Sequence, residues 1–257
     1  MSNQIDDAYV KTEVHKGIAT IEFHHPQSNS LPGKLLKNLT HAITHAGTDP
    51  KVIVIVLKSA VEKAFCAGAS FEELIAIKNA TEGLEFFTGF ANVINAMRKC
   101  PKFIIGRIHG KCVGGGVGLV AAVDYAIAVE GAEVKLSELA IAIGPFVVGP
   151  AVERKIGVSA FSALAIDAGS FRNAEWARRR GLYSEVHESI EGMDEAIIRL
   201  STTLSHSSPE AMTEMKKVFW KGTESWDTLL VERAKISGRL VLSDFTKEAI
   251  HKFKAKS

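Results

Sequence analysis

The stretch GKCVGGGVGL, residues 110–119, is the part of this sequence around which the fold is organised. The apolar residues 103–108 before it predict a β-strand, and the small apolar residues 117–123 that end it and continue beyond it predict a helix. Adjacent glycines at such a junction let a ligand contact bare backbone, because no Cβ stands in the way. The first N–H groups of a helix have no partner within it, so the junction can hold an oxygen that develops negative charge. The alternative is a tight turn that packs the helix against the sheet.

Composition limits the classes of protein to consider. The chain has 257 residues, of which 46% are apolar and 23% charged, as in an ordinary globular domain. A net charge of +2 gives no electrostatic reason to expect nucleic acid or an anionic membrane as a partner. The three cysteines show no metal-binding or disulfide spacing, the first residues are polar rather than a signal peptide, and no apolar run approaches about 18 residues. We therefore expect a cytoplasmic protein without a metal site.

Apolar periodicity predicts strands and helices that alternate first, followed by helices alone, which indicates an α/β class. Strands are predicted at residues 9–14, 17–23, 52–57, 103–108, 124–129, 134–138 and 183–186. Helices are predicted at residues 32–46, 82–99, 117–123, 152–156, 160–167, 174–180, 190–204, 210–221, 228–242 and 244–252. Ser70 and Glu73 fit a capping box, so a further helix is expected to start there. We predict a core domain at residues 1–195 and a C-terminal helical region at 196–257, docked on its own core or on a neighbouring subunit.

Four blocks of sequence resemble one known family in their order and spacing. They are HPQSNSL at residues 25–31, AFCAGASFEEL at residues 64–74, the glycine stretch with VDYAIA at residues 123–128, and KLSE at residues 135–138 running on to Gly144 and Pro145. Through them the chain resembles the crotonase superfamily, the enoyl-CoA hydratase/isomerase family, over about residues 9–182. The resemblance implies a crotonase-like ββα superhelical spiral with a helical C-terminal trimerisation region. It also implies an acyl-CoA substrate, a homotrimer or dimer of trimers, and no cofactor beyond the coenzyme A of the substrate.

The resemblance also assigns the catalytic groups. The backbone N–H groups of Ala69 and Gly115 match the family's oxyanion hole, and Glu138 matches its second carboxylate. A preorganised oxyanion-hole donor is typically worth about 3 kcal/mol in the transition state. The predicted substrate-binding residues around these groups are Ser30, Leu31, Ala67, Ser70, Phe71, Val113, Gly114, Gly118 and Pro145.

One departure from the family pattern decides the predicted reaction. Hydratases of the family use two glutamates, and the first of them falls here on Gly118, which cannot transfer a proton. Losing one general acid–base group typically costs about 10²–10⁴ in rate. A single carboxylate can instead carry one proton from C2 to C4 of a 3-enoyl-CoA, as one-glutamate members of the family do. We therefore expect Δ3-to-Δ2 enoyl-CoA isomerisation.

Other functions remain open from the sequence. An unrecognised group could replace Gly118 in a hydratase, or the site could support thioester hydrolysis or decarboxylation, or bind acyl-CoA without catalysis. Residues 116–121, GVGLVA, also match a dinucleotide-binding pattern, although loop residues separate them from their strand. Cys66 and Cys112 are expected to be core residues and Asp124 to brace a strand start. The bulky residues 146–148 are expected to narrow or redirect the acyl pocket.

Overall fold

The first elements of the described chain are a β-hairpin and a helix. The computed structural model describes residues 8–60 and 63–254. Residues 1–7 and 61–62 of the predicted core domain and residues 255–257 of the predicted C-terminal region therefore lie outside the described residues. Strands β1 (Tyr9–His15) and β2 (Ile18–His24) pair antiparallel, as predicted, with Lys16 and Gly17 at positive φ in the turn. Helix α1 (Gly33–Thr48) follows and buries its apolar face.

Three successive β-β-α units form the centre of the molecule. The first has β3 (Val54–Ser59), β4 (Ala64–Cys66), α2 (Phe71–Ala76) and α3 (Ala80–Lys99). The second has β5 (Phe103–Ile108), β6 (Lys111–Val113) and α4 (Gly115–Ala122). The third has β7 (Tyr125–Val129), β8 (Val134–Lys135), a short 3-10 helix (Glu138–Ile141) and α5 (Gly149–Ile166). The repeat is one of structure alone, since the three units share no sequence repeat.

The two strands of each unit enter two different sheets. Helix α6 (Ala174–Arg179) and strand β9 (Glu185–His187) follow the three units. The larger sheet has the order β1-β2-β3-β5-β7-β9, and its strands are parallel except for the pair β1 and β2. The smaller sheet, β4-β6-β8, is parallel throughout. Each unit therefore adds one strand beside its predecessor in both sheets, which produces a spiral. The α/β class and the alternating order are confirmed.

Apolar residues place the central strands inside the molecule. In β3 and β5 almost every side chain is buried, on both faces of the sheet, as expected for strands covered by helices. Helix α7 (Ile190–Ser205) packs on β3, β5, β7 and β9. β3 begins two residues later than predicted, because the N–H of Val52 closes a turn onto the carbonyl of Asp49 (3.1 Å).

Helix α5 joins two helices that the sequence predicts separately. It runs through both predicted segments, 152–156 and 160–167, and is interrupted at Gly157, whose φ is 76°. A side chain is strained at this φ, so glycine lets the chain turn between the two helical stretches. The predicted gap is thus a local break rather than a loop.

The last three helices fold back on their own chain. They are α8 (Pro209–Phe219), α9 (Trp226–Leu240) and α10 (Asp244–Lys254). Helix α9 crosses α3 so closely that a Cβ at Gly83 would lie 2.7 Å from the carbonyl oxygen of Gly238. Thr246 Oγ1 of α10 donates to the carbonyl of Ala142 (3.2 Å). The predicted boundary between residues 195 and 196 falls inside α7, and the division into core and C-terminal region stays a prediction.

Asp124 links α8 to the start of the central strands. Its Oδ2 accepts from the N–H of Ile104 and from Lys216 Nζ, both at 2.8 Å, and its Oδ1 accepts from Trp220 Nε1 at 3.0 Å. The predicted bracing role of Asp124 is confirmed. Among the described residues, none of the helices combines the length and apolarity needed to cross a bilayer.

Candidate active site

The smaller sheet brings the predicted catalytic residues together. Its three parallel strands end at one edge, and each is followed closely by a site segment: residues 67–69 after β4, residues 114–115 after β6, and residues 137–138 after β8. Ligands of open parallel sheets bind outside the carboxyl ends of the strands. The topology therefore explains why residues that are far apart in sequence share one site.

Backbone hydrogen bonds from the loop before α1 hold residues 67–69, with Gly68 at a φ of 90°. The N–H of Leu31 donates to the carbonyl of Gly68 (2.7 Å), and the N–H of Ser70 donates to the carbonyl of Leu31 (3.4 Å). Since Leu31 bridges to Ala69 in parallel register, the N–H of Ala69 points to the opposite side of the segment. Ala69 lines a cavity, and donation from its N–H to a ligand there stays a prediction.

The glycine run starts helix α4 at the edge of the same cavity. Gly114 precedes the helix with φ 52° and ψ −116°, a conformation that side chains avoid, and Gly115 is the first helical residue. The N–H of Gly115 therefore has no partner within the helix. A Cβ at Gly68 would lie 3.4 Å from the nitrogen of Gly115, so the two predicted donor segments are in direct contact.

Glu138 faces these segments from the third strand end. A Cβ at Gly114 would lie 3.0 Å from Glu138 Oε1, so a side chain there would crowd the carboxylate. Glu138 Oε2 is buried and has no hydrogen-bond partner in the described part of the chain. Burial raises the pKa of Glu138 from 4.5 to about 7. A carboxylate with a pKa near neutral is suited to general acid–base work.

Val148 occupies the place where a second carboxylate would begin. A Cβ at Gly118 would lie 2.7 Å from the Cβ of Val148, closer than real contacts allow. Val148 is 4% exposed and lines the cavity, whereas Gly118 is buried behind it. Among the described residues that line the cavity, Glu138 has the one ionisable side chain. Gly118 thus leaves the space that the side chain of Val148 fills, and a valine rather than a carboxylate faces the cavity at this position.

The cavity has a volume of about 70 Å³ and gathers seven of the twelve predicted site residues. Those that line it are Ala67, Ala69, Phe71, Gly114, Gly115, Glu138 and Pro145. The five that do not line it are Ser30, Leu31, Ser70, Val113 and Gly118. For these five, direct contact with a substrate stays a prediction.

Several residues outside the lining position the site instead. Leu31 holds the segment of Ala69, as described above. Ser70 caps α2 by accepting from the N–H of Glu73 (3.4 Å), which confirms the predicted helix start. The reciprocal half of the capping box does not form, because the N–H of Ser70 bonds to Leu31. Glu73 Oε2 instead accepts from the N–H of Gly33 at the start of α1 (2.7 Å).

Sequence reasoning missed part of the apolar wall. The missed lining residues are Gly68, Leu74, Phe87, Phe90, Ser137, Ile141, Gly144 and Ser237, whereas the bulky residues 146–148, which the sequence predicts at the acyl pocket, do line the cavity. Phe87 and Phe90 lie on the buried face of α3, and their periodicity predicts burial but not the partner they face. Ser237 comes from α9 and carries no local signal at all. Residues next to predicted ones, such as Gly68 and Ser137, could have been included by adjacency.

The cysteines and the dinucleotide pattern take no part in this chemistry. Cys66 and Cys112 are fully buried, and burial raises the pKa of the Cys66 thiol to about 12 and that of Cys112 further. Both thiols are therefore neutral core groups. Residues 116–121 lie inside α4 rather than at a strand-to-helix turn. A Cβ at Gly116 would lie 2.5 Å from the carbonyl oxygen of Cys66, so this glycine serves close packing.

Comparison with known proteins identifies the family. A family model described as enoyl-CoA hydratase/isomerase matches residues 13–256. The chain belongs to the enoyl-CoA hydratase/isomerase family. The resemblance to the crotonase superfamily is confirmed, and the chain is an acyl-CoA-processing enzyme of this family.

Relatives within the enoyl-CoA hydratase/isomerase family include both reaction types. The mitochondrial methylglutaconyl-CoA hydratase of Mus musculus is 31% identical over 217 residues, which covers 82% of this chain and 68% of that protein. The peroxisomal Delta(3,5)-Delta(2,4)-dienoyl-CoA isomerase of Arabidopsis thaliana is 28% identical over 225 residues, covering 81% and 79%. The family is therefore shown, whereas the choice between hydration and isomerisation is not.

A solved structure confirms the crotonase fold. The enoyl-CoA hydratase from Bacillus halodurans superposes with a TM-score of 0.88 at 22% identity, covering 95% of this chain and 99% of that one. At this identity the likeness shows the fold alone.

Proposed function

We propose that this family member isomerises 3-enoyl-CoA to 2-enoyl-CoA with Glu138 as the single proton carrier. One observation carries the proposal: Glu138 is the one ionisable group among the described residues of the cavity wall, and its Oε2 has no partner within the described chain. A buried carboxylate oxygen without a hydrogen-bond partner is costly to a fold, which favours a functional reason for keeping it.

The proposed step moves one proton and one double bond. Ionised Glu138 removes a proton from C2, and the electrons of that C–H bond form a dienolate whose negative oxygen accepts from the N–H groups of Ala69 and Gly115. The protonated carboxyl then returns the proton to C4. The double bond moves from C3–C4 to C2–C3, the thioester is regenerated, and Glu138 is ionised again. Atoms and charge balance without a co-reactant.

The wall opposite supports isomerisation over hydration. Addition of water to a 2-enoyl-CoA needs a group that positions and deprotonates water at C3. At the position of Gly118 the cavity instead meets the methyl groups of Val148, which can neither bind nor deprotonate water. Hydration remains the second candidate because relatives named as hydratases are equally similar to this chain. Thioester hydrolysis, decarboxylation and binding without catalysis are outcomes that the experiment below separates.

The test is an assay of 3-enoyl-CoA and 2-enoyl-CoA side by side. We expect the first to be converted to the second, and little hydration of the second. Glu138→Gln should lower the isomerisation rate about 10²–10⁴-fold, because glutamine cannot accept the proton. The matched control is Glu133→Gln, which removes a carboxylate that pairs with Lys111 (2.9 Å) outside the cavity and should leave the rate unchanged.

The outcomes separate the alternatives. Hydration of 2-enoyl-CoA without isomerisation would make the protein a hydratase. Release of free CoA or of carbon dioxide would indicate hydrolysis or decarboxylation. Binding of the thioester with no turnover would leave a non-catalytic binder. Isomerisation that survives Glu138→Gln would exclude the proposed proton carrier.

Assembly and compartment are proposed on the family resemblance and the composition. We propose a homotrimer or a dimer of trimers in the cytoplasm, with acyl-CoA as substrate and no separate cofactor. Sedimentation of the purified full chain distinguishes these assemblies from a monomer.

A further inference from the structure

We infer that the cavity at Glu138 accepts short acyl groups, of about four to six carbons, and that Phe146 and Val148 set this limit. The inference rests on the proposed acyl-CoA site and narrows its substrate class. Three observations support it: the small volume of the cavity, the side chains of Phe146 and Val148 in its wall, and the charged side chains that line two other large grooves.

The volume of the cavity is small for a site that takes an acyl chain. It measures about 70 Å³, whereas pockets for larger ligands run from about 300 Å³ upward. The cavity is therefore about a quarter of the size of such pockets, which leaves room for a short acyl group only.

Phe146 forms part of the cavity wall and lies against Gly144, which leaves room for its ring. A Cβ at Gly144 would lie 2.5 Å from Phe146 Cε2 and 2.7 Å from Cζ, so the ring rests directly on the glycine backbone. A tight turn fixes this placement, since the N–H of Phe146 donates to the carbonyl of Gly144 (2.8 Å). The ring is thus a wall rather than a mobile surface group.

Val148 closes the cavity in the same way. Its side chain fills the space that Gly118 leaves, and it is 4% exposed. The rest of the wall is also bulky and apolar, with Phe71, Phe87 and Phe90 on the opposite helices. A longer chain would need Phe146 or Val148 to move.

Two further large grooves carry charged side chains among the residues that line them. A groove of about 630 Å³ between α1, α2 and α3 is lined by Lys34, Lys37, Glu73, Glu82 and Glu85 among others. A groove of about 600 Å³ beside α7 contains Lys58, Arg107 and Asp194. Burying the methylene groups of an acyl chain against these charged side chains would remove water from the charges. The free energy gained by burying the acyl chain would not offset that cost.

The test measures affinity rather than turnover, so that it stands apart from the proposed reaction. Isothermal titration calorimetry of the full chain with butanoyl-CoA, hexanoyl-CoA and decanoyl-CoA gives the three dissociation constants. We expect decanoyl-CoA to bind at least about tenfold more weakly than the two shorter thioesters. Phe146→Ala should remove most of that difference by tightening decanoyl-CoA binding, and Phe146→Leu should give an intermediate result.

Phe161→Ala is the matched control. Phe161 packs over Gly149 at the start of α5, outside the cavity wall, so its truncation removes an aromatic side chain close in sequence to the Phe146 turn without enlarging the cavity. We expect it to leave the length preference unchanged. Equal affinity for all three thioesters, or tighter binding of decanoyl-CoA by the unmodified protein, overturns the inference and leaves the proposed isomerisation standing. Binding of none of them overturns both.

Discussion

At the scale of single residues, Glu138 is the proposed proton carrier, and its burial also destabilises the fold. Its pKa is raised to about 7 because burial disfavours the charged form. The native state therefore holds a proton on Glu138 up to a higher pH than the unfolded chain does. Between about pH 4.5 and 7 the native state binds more protons, so stability falls as the pH rises. Above about pH 7 the full cost of the buried charge is present.

Replacing Glu138 by glutamine should remove this cost. We expect the free energy of unfolding of Glu138→Gln to exceed that of the unmodified protein by about 3 kcal/mol at pH 8, and by about 1 kcal/mol at pH 5. Denaturant unfolding at the two pH values measures the difference. Glu133→Gln removes a partly exposed ion pair and should change stability by less than about 1 kcal/mol at either pH. An equal effect of Glu138→Gln at both pH values would mean that the carboxylate is not buried as described.

At the scale of elements, helices α4 and α5 depend on each other through one glycine. Gly118 on α4 and Val148 at the start of α5 share a space too small for two side chains. Valine at position 148 therefore requires glycine at position 118, because the branched side chain fills the space that the glycine leaves. The sequence shows each residue separately, and the contact between them is visible in the structure alone.

A double-mutant cycle measures this pair. Gly118→Ala should destabilise the protein by about 1–3 kcal/mol, because the added methyl group overlaps Val148. In a Val148→Ala background the same change should cost less but stay destabilising, because the overlapping methyl group is gone while the Cβ of residue 148 still lies 2.7 Å from the added Cβ. Thermal unfolding of the four proteins gives the coupling energy. Additive effects of the two substitutions would show that the side chains do not compete for one space.

At the scale of the whole molecule, local patterns predict the elements, and packing decides the site. The unbroken apolar residues of β3 and β5, the glycines before α4 and the cap at Ser70 are visible in sequence because each reflects a local requirement of the backbone. Glu138 and Ala69 are placed by resemblance. The walls formed by Phe90 and Ser237 could not be predicted, because they come from helices that meet the site only after the chain has folded back.

The C-terminal helices show the same difference between what local sequence patterns predict and what packing decides. Their amphipathic pattern predicts an apolar face to bury but not the surface that buries it. In the structure α9 packs on α3 through Gly83 and Gly238, and this contact brings Ser237 to the cavity. The helical tail is therefore part of the site as well as of the fold.

The most direct test of the account follows the proton that Glu138 is proposed to carry. A 3-enoyl-CoA with two deuterium atoms at C2 is converted in ordinary water, and mass spectrometry of the 2-enoyl-CoA product counts the deuterium. Glu138 Oε2 is buried from solvent, so we predict product that retains both atoms, one at C2 and one moved to C4. Product with a single deuterium and a water-derived hydrogen at C4 from the first turnover would contradict transfer by one enclosed carboxylate.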